Sequence, residues 1–379
     1  MKRGVANFVP SRLSQARSRR GFKKKELAEE LGVSGEALRS YENGAASPLP
    51  DKVRRMSEVL NFPEHFFSSA SLKSGSPHVF WRDLKSVTKA SREAVDARVV
   101  FACEVFSVLD EYVEFPSLNL PQLKLPEHWS DITDYDIEAA AEVCRLEWGL
   151  GEYPIPDMTL AVENIGVPVL APSIDNRKQS GFAHWDEVTG RPFVGHNMRH
   201  TTAARARFNL AHELGHILLH RGVTEDDLEN AEYFDYIEQQ AHRFAGALLF
   251  PRTAFYREVR YASLSVFELL KRDWNISITA QIVRARQLGV IDKSRATSLF
   301  VAAGREGYRS AKGEPYDDTV PVEEPRMLRR AVDAIEDAGE LHLEVLKHRI
   351  PLPEDEIQEL VGRTFEPTVS NVIQLRRPF

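Results

Sequence analysis

Apolar positions repeat at helical spacing along most of this chain and switch to strand spacing in one short region. Leu13 and Ala16 mark a first helix that ends near Gly21, and Leu27, Ala28 and Leu31 form the inner face of a second that starts at Lys24. Gly32-Val33-Ser34 then breaks the helix, and Ser34 is a good N-cap for a third running to about Asn43. Two short helices with a glycine turn between them predict a helix-turn-helix, with Leu38 and Tyr41 packed inward. Gly35, Glu36, Arg39 and Ser40 face outward at the start of its second helix. After Pro48-Leu49-Pro50 another helix covers 51–60, and 68–77, rich in Ser, Gly and Lys, reads as a linker. A long helical pattern occupies 78–113, a Pro-punctuated connector 115–126, and a further helix 137–148.

From Met158 the pattern becomes mixed. Residues 159–164 read as helix and 167–170 as a short strand, while 181–185 and 191–196 read as a hairpin pair. A mostly apolar helix follows over 203–222, then an amphipathic one over 237–251 closed by Pro251. Residues 264–274 and 277–288 form a second helix-turn-helix-like pair, in which Lys271, Arg272, Arg284 and Arg286 keep a second DNA contact open, although a plain helical bundle is favoured. The stretch from Gly304 is loop-rich, with helical patterns at 327–349 and 354–362 and a basic end at Arg376-Arg377. The expected fold is multidomain and mainly α with a small mixed sheet: a helix-turn-helix bundle, an α+β domain and C-terminal helices. The expected boundaries are 1–67, a linker 68–77, a helical connector 78–150, the α+β domain 151–260, a helical extension 261–303 and the C-terminal region 304–379.

Composition changes this picture in one respect. A chain of 379 residues, 42% hydrophobic, can bury several cores, and its overall charge of −7 makes no whole-chain case for nucleic acid or membrane. The charge is uneven, however: residues 1–67 hold 13 Lys/Arg against 8 Asp/Glu, a net +5, and the remainder is near −12. A basic module is therefore joined to an acidic body. Arg82, Lys85, Lys89, Arg92 and Arg98 extend the basic character but suit a solvated helix face. The two cysteines, Cys103 and Cys144, are too few for a disulfide framework and suit buried thiols in a reducing compartment. With no apolar run of the ~18 residues a membrane span needs and no signal-peptide core, the expected location is the cytoplasm.

The chemistry concentrates in His212-Glu213-Leu214-Gly215-His216, an H-E-x-x-H pattern within the apolar helix. Two imidazoles four residues apart lie on one helix face and can each offer a nitrogen to one Zn²⁺, with Glu213 beside them as a general base. A core helix rarely carries two His and a Glu unless they pair or ligate. Catalytic zinc takes three protein ligands, so a third is required. Glu238, 22 residues past His216, is one candidate; His242, one turn further, and His220, one turn past His216, are the others. His196, His200, Tyr233 and Tyr236 also fall near the site in sequence, and packing or surface roles suit them.

Two resemblances sharpen these readings. The segment KKKELAEELGVSGEALRSYENGAASPLPDKVRRMSEVLNF resembles the Xre or phage-repressor type of helix-turn-helix domain, through Leu27-Ala28, Gly32-Val33-Ser34, Tyr41-Glu42, Gly44 and Pro48, over about 57 residues. The resemblance implies binding to a double-stranded DNA operator through Lys24, Ser34, Gly35, Glu36, Arg39 and Ser40. The family usually has Gln where this chain has Lys24, which can still meet a phosphate as a point charge. RFNLAHELGHILLHRG followed by EQQAHRFAGALLFP is similar to the ImmA/IrrE family of zinc-dependent endopeptidases, matching its second block at Glu238, Ala241, Phe244, Ala245, Leu248, Leu249 and Pro251. This similarity implies that His212, His216 and Glu238 bind zinc and that Glu213 is the base. Gln240 stands where the family often has Glu, and His242 where it often has Asn. His242 is left as a partner in the shell around the ligands, an oxyanion stabiliser or a bystander, with His220 the other candidate for that shell. The implied activity is cleavage of a repressor protein by a DNA-binding regulator, with a homodimer among the allowed assemblies. The rival is a non-proteolytic Xre-type transcription factor or antitoxin that uses the peptidase-like domain for sensing or protein contacts.

Overall fold

Local sequence explains the ends of most helices in the computed structural model, which describes residues 4–70, 79–81, 88–171, 181–198, 201–310, 312–338 and 349–364. Most of the expected linker, Arg82, Lys85, His200 and Arg376-Arg377 lie outside the described residues. Helix α1 (Pro10–Arg19) starts on a proline whose missing N–H is not needed there. Helices α2 (Lys24–Glu30) and α3 (Gly35–Glu42) make the helix-turn-helix, and Ser34 Oγ caps α3 by accepting from Ala37 N at 3.1 Å. Helix α4 (Pro50–Leu60) completes the bundle. Leu13, Leu27, Leu38, Met56 and Phe66 are fully buried in its core.

The expected helix over 78–113 is shorter in the structure. Helix α5 covers Lys89–Leu109, and Val79–Trp81 is a strand, β1, paired antiparallel with β3 (Gly181–Asp186). A Val-Phe-Trp run suits a pleated edge, where pairing satisfies backbone groups that a frayed helix start would leave open. Strand β3 pairs antiparallel with β4 (Arg191–His196), and β2 (Val169–Leu170) runs parallel to β4, giving a mixed sheet of order β1-β3-β4-β2. Alternation along β3 divides its side chains between two cores. Ala183 and its partner Val194 face the core built around α8 (Ala203–Leu219), whereas Phe182 and Phe193 join the core of α5 and the helix-turn-helix bundle. Phe106 of α5 stacks on Phe115 at 4.2 Å between centroids and meets Phe193 edge-on at 5.6 Å.

The stretch between the N-terminal bundle and the α+β domain is therefore divided. Helix α5 packs on α1, while α6 (Asp134–Glu147) packs on α10 (Ala231–Leu249). Helix α7 (Met158–Asn164) leads into β2, and α9 (Glu225–Glu229) joins α8 to α10. After α11 (Arg252–Glu258), helices α12 (Leu264–Trp274), α13 (Ile278–Gln287) and α14 (Lys293–Arg305) close the second core.

The C-terminal region straps the two parts together, and carboxylates reaching from it and to it cap helices far away in sequence. Glu314 accepts from Ile278 N at 2.8 Å and from Thr279 N at 3.2 Å at the start of α13. Glu323 does the same for Met158 and Thr159 at the start of α7, and Glu163 for Arg326 and Met327 ahead of α15 (Met327–Asp337). These amides are orphan donors at positive helix ends, so a carboxylate satisfies both hydrogen bond and dipole. Helix α16 (Glu354–Val361) then ties to the N-terminal bundle through Arg19–Glu356 at 2.7 Å and Arg20–Asp355 at 3.0 Å. Among the described residues no helix is long and apolar enough to cross a membrane.

Three cations read from the sequence as surface groups are inside. Arg284 is fully buried and grips Glu138 through both terminal nitrogens, at 2.5 and 2.7 Å. Lys271 is buried against Glu314 at 2.8 Å and Asp317 at 2.5 Å. Arg98 of α5 is buried against Glu359 of α16 at 2.6 Å. The helix-turn-helix-like pair α12–α13 thus offers neither Lys271 nor Arg284 to DNA; both hold the helical extension onto its neighbours.

Candidate metal centre and nucleic-acid face

Helix α8 is almost wholly buried, and two of its small contacts set how closely α10 approaches. A Cβ at Gly215 would lie 3.2 Å from the Phe244 ring and 3.4 Å from Ala241, so glycine on one helix and alanine on the other bring the backbones together. Across this close crossing the motif histidines face Glu238. His212 Nε2 and His216 Nε2 lie 3.0 Å apart, His216 Nε2 is 3.2 Å from Glu238 Oε1, and His212 Nε2 is 3.4 Å from Glu238 Oε2. His212 and His216 are buried and the Glu238 side chain is 13% exposed.

A chain of hydrogen bonds fixes which nitrogen of His216 carries a proton. Gln240 Nε2 donates to the carbonyls of Trp129 at 3.0 Å and Ile132 at 3.1 Å, so its Oε1 must accept from His220 Nε2, 3.0 Å away. Neutral His220 then presents a bare Nδ1, 3.0 Å from His216 Nδ1, which must be the donor. His216 is left with a lone pair on Nε2, directed at His212 and Glu238. This assignment follows from satisfying the network, with the amide orientation decided by the two carbonyls. Gln240 and His220 therefore set a tautomer, a role that sequence spacing did not reveal.

Electrostatics agree with neutral His212 and His220. Burial pushes His212 well below the usual histidine range, against the pull of Glu238. Burial, with His216 adding to it, takes His220 down to about 3. For Glu238 burial works upward, but the facing imidazoles, His212 first, outweigh it and hold the carboxyl below its ordinary value.

His242 donates from Nδ1 to the Glu238 carbonyl at 2.6 Å, and its ring centroid lies 4.5 Å from that of His212. A ligand atom of His242 lies within 4.8 Å of those of His212 and Glu238. Tyr233 packs edge-on against Trp129, and Tyr236 donates at 3.4 Å to Ile132 O, the carbonyl that also holds Gln240. The backbone of His196 ends β4. Glu213 is fully buried and projects toward the start of β3, where a Cβ on Gly181 would overlap its carboxylate. Gly181 thus makes room for Glu213, and only the bare α-carbon of a glycine read as a strand end hinted at it.

At the other end of the molecule, Ser34, Gly35, Glu36 and Arg39 are exposed at the start of α3, and Ser40 is half-buried. Lys24 is half exposed, with Nζ 2.8 Å from Glu42, which also accepts from Arg17 Nε at 2.6 Å. Arg39, Lys24 and Glu42 also line a cavity of about 610 Å³ whose far wall is α5, including Asp96. Burial, then the neighbouring Glu93, raises Asp96 to about 7 despite Arg92.

Comparison with known families falls on the same two regions. Residues 13–67 match the helix-turn-helix family model, of Xre type, and residues 162–286 match the IrrE N-terminal-like domain of the M78 peptidase family. No curated protein was found to match the chain. The chain joins an Xre-type helix-turn-helix segment to an IrrE/ImmA-like, peptidase-family segment, and so has the make-up of a DNA-binding regulator with a peptidase-like domain.

Proposed function

We propose that the chain is a cytoplasmic transcriptional regulator that binds operator DNA and carries a zinc-dependent endopeptidase whose substrate is a repressor protein. The observation that carries the peptidase reading is the convergence of His212, His216 and Glu238, with donor separations of 3.0–3.4 Å. Zinc bonds of roughly 2.0–2.1 Å in a tetrahedron put ligands about 3.3 Å apart, so this donor set fits the ion without rearrangement. Bound there, zinc would polarise a peptide carbonyl and acidify water. His212 and His216 act as neutral ligands, the latter oriented by His220 and Gln240, and Glu238 supplies the charge. Glu213 takes the proton from the attacking water onto its carboxylate and passes it to the leaving amine nitrogen. His242, its Nε2 left as an acceptor by the bond to Glu238 O, lies near enough to meet substrate polar groups.

DNA binding rests on the exposed face of α3 and its approach. Arg39 and Lys24 neutralise phosphate, and Ser34, Gly35, Glu36 and Ser40 are placed to meet the groove. A homodimer would match a palindromic operator. The burial of His212, Glu213 and His216 favours one second reading, in which the metal site senses or scaffolds and does not cleave. Incubation of zinc-loaded protein with Xre-class repressors, for wild type and Glu213→Gln, separates the two. Fragments from wild type alone support the peptidase, and intact repressor with both supports the scaffold.

A further inference from the structure

The face of the small sheet turned away from α8 carries a second cluster of ligand-type side chains. Cys103 of α5 lies over His184 and Asp186, which share one face of β3 by their two-residue spacing. One ligand atom from each lies within 4.8 Å of the other two, and the three residues are 1%, 2% and 0% exposed. Asp186 uses only one carboxylate oxygen in its turn, Oδ2, which accepts from Thr189 N at 2.8 Å and Thr189 Oγ1 at 2.7 Å. Oδ1 is buried and accepts no hydrogen bond among the described residues. A carboxylate oxygen left bare inside a core lined by Phe182 and Phe106 is costly unless a cation meets it.

We propose that Cys103, His184 and Asp186 form a second metal site, taking a zinc-like divalent transition ion that pins α5 to the sheet. A thiolate and a carboxylate balance the double positive charge, and the imidazole adds a neutral donor, so the filled site is uncharged in a low-dielectric interior. Sulfur selects against magnesium and calcium. Zinc-ligand bonds of about 2.0–2.3 Å require the donors to close to roughly 3.5 Å, a contraction that side-chain rotation supplies. A nucleophilic role for the thiol is disfavoured: burial, with Asp186 and Glu104 adding to it, pushes Cys103 well above the ordinary thiol range, and no surface reaches it. Enclosure also means that the ion enters as the chain folds.

The location gives the site a structural consequence. Glu104, the next residue, pairs with Arg12 of α1 at 2.9 Å, so the ion would sit where the DNA-binding bundle, α5 and the peptidase-like sheet meet. Metal occupancy there stiffens the connection between the DNA-binding end and the sheet whose other face carries α8.

Cobalt(II) distinguishes this site from the His212–His216–Glu238 cluster, because only a thiolate ligand gives a sulfur-to-cobalt charge-transfer band. Full-length protein produced in cobalt-supplemented medium should show that band. It should persist in His212→Ala/Glu238→Gln and in Cys144→Ser, and vanish in Cys103→Ser with loss of half the bound cobalt. If Cys103→Ser does not fold, Asp186→Asn should weaken or shift the band while Cys144→Ser leaves it unchanged. Absence of the band from folded wild-type protein, or its loss in Cys144→Ser instead, would overturn the proposal, whatever the outcome at the first cluster.

Discussion

The two ends of this molecule hold their polar groups in opposite ways. At the α8–α10 crossing His212, His216, His220 and Gln240 are buried, and each orients the next. At the start of α3 the polar groups are exposed: Arg39 faces solvent, and Lys24 of α2 answers to solvent and to Glu42. A buried network transmits a single change to every member, since each lost partner leaves an unsatisfied group in low dielectric. An exposed basic face loses one increment at a time. The pair α12–α13 shows why local pattern does not decide between these cases. It has a helix-turn-helix outline like α2–α3, yet Lys271 and Arg284 are buried in ion pairs.

Several substitutions would sharpen or break this contrast. Glu213→Gln should lower repressor cleavage by roughly 10²–10⁴-fold, the usual worth of a general base, while zinc content measured by plasma mass spectrometry stays at the wild-type level. Loss of zinc together with activity would instead make Glu213 part of the binding set. Arg284→Ala leaves the buried Glu138 carboxylate with Arg243, 3.3 Å away, as its remaining cation, and urea melts should show a loss of about 3 kcal/mol, the lower end for a broken buried pair. A loss under 1 kcal/mol would place that pair among solvated contacts. Gln240→Leu should weaken zinc binding by roughly 10–100-fold in a chelator competition, because His220 and then His216 lose their fixed tautomers.

Effects at the exposed end should be smaller and sensitive to salt. Lys24→Ala with Arg39→Ala should reduce the slope of log K against log salt by about 2, near one unit per phosphate contact, with the fold unchanged. An unaltered slope would move the DNA face elsewhere. The smallest effect concerns Asp96, raised to about 7 in the folded chain against an ordinary carboxyl value when unfolded. The native state then keeps the proton that the unfolded chain gives up, so this group's contribution to stability falls as pH rises from about 4 through 7. Asp96→Asn should therefore raise the melting temperature more at pH 8 than at pH 5, and an equal gain at both would contradict the shift.

Much of this organisation was legible before any coordinates. The motif helix, the hairpin ahead of it, the second helix with Glu238 and the helix-turn-helix all announce themselves through periodicity, glycine breaks and capping residues. What escaped is long-range. Val79–Trp81 becomes a strand only because the β3 edge is there to pair with it. Arg284 and Lys271 look like surface cations until Glu138, Glu314 and Asp317 arrive from elsewhere in the chain. The capping roles of Glu314 and Glu323 span 36 and 165 residues, beyond any local signal. Gly181 and Gln240 matter through what lies opposite them, Glu213 in one case and His220 in the other.

The most direct test of the central claim is cleavage of a purified Xre-class repressor by the zinc-loaded full chain, followed by gel electrophoresis and mass spectrometry. The account predicts discrete fragments from wild type, none after chelation, and none from Glu213→Gln despite its bound zinc. Fragments that persist with zinc-loaded Glu213→Gln, or wild-type protein that purifies without stoichiometric zinc at His212, His216 and Glu238, would contradict it.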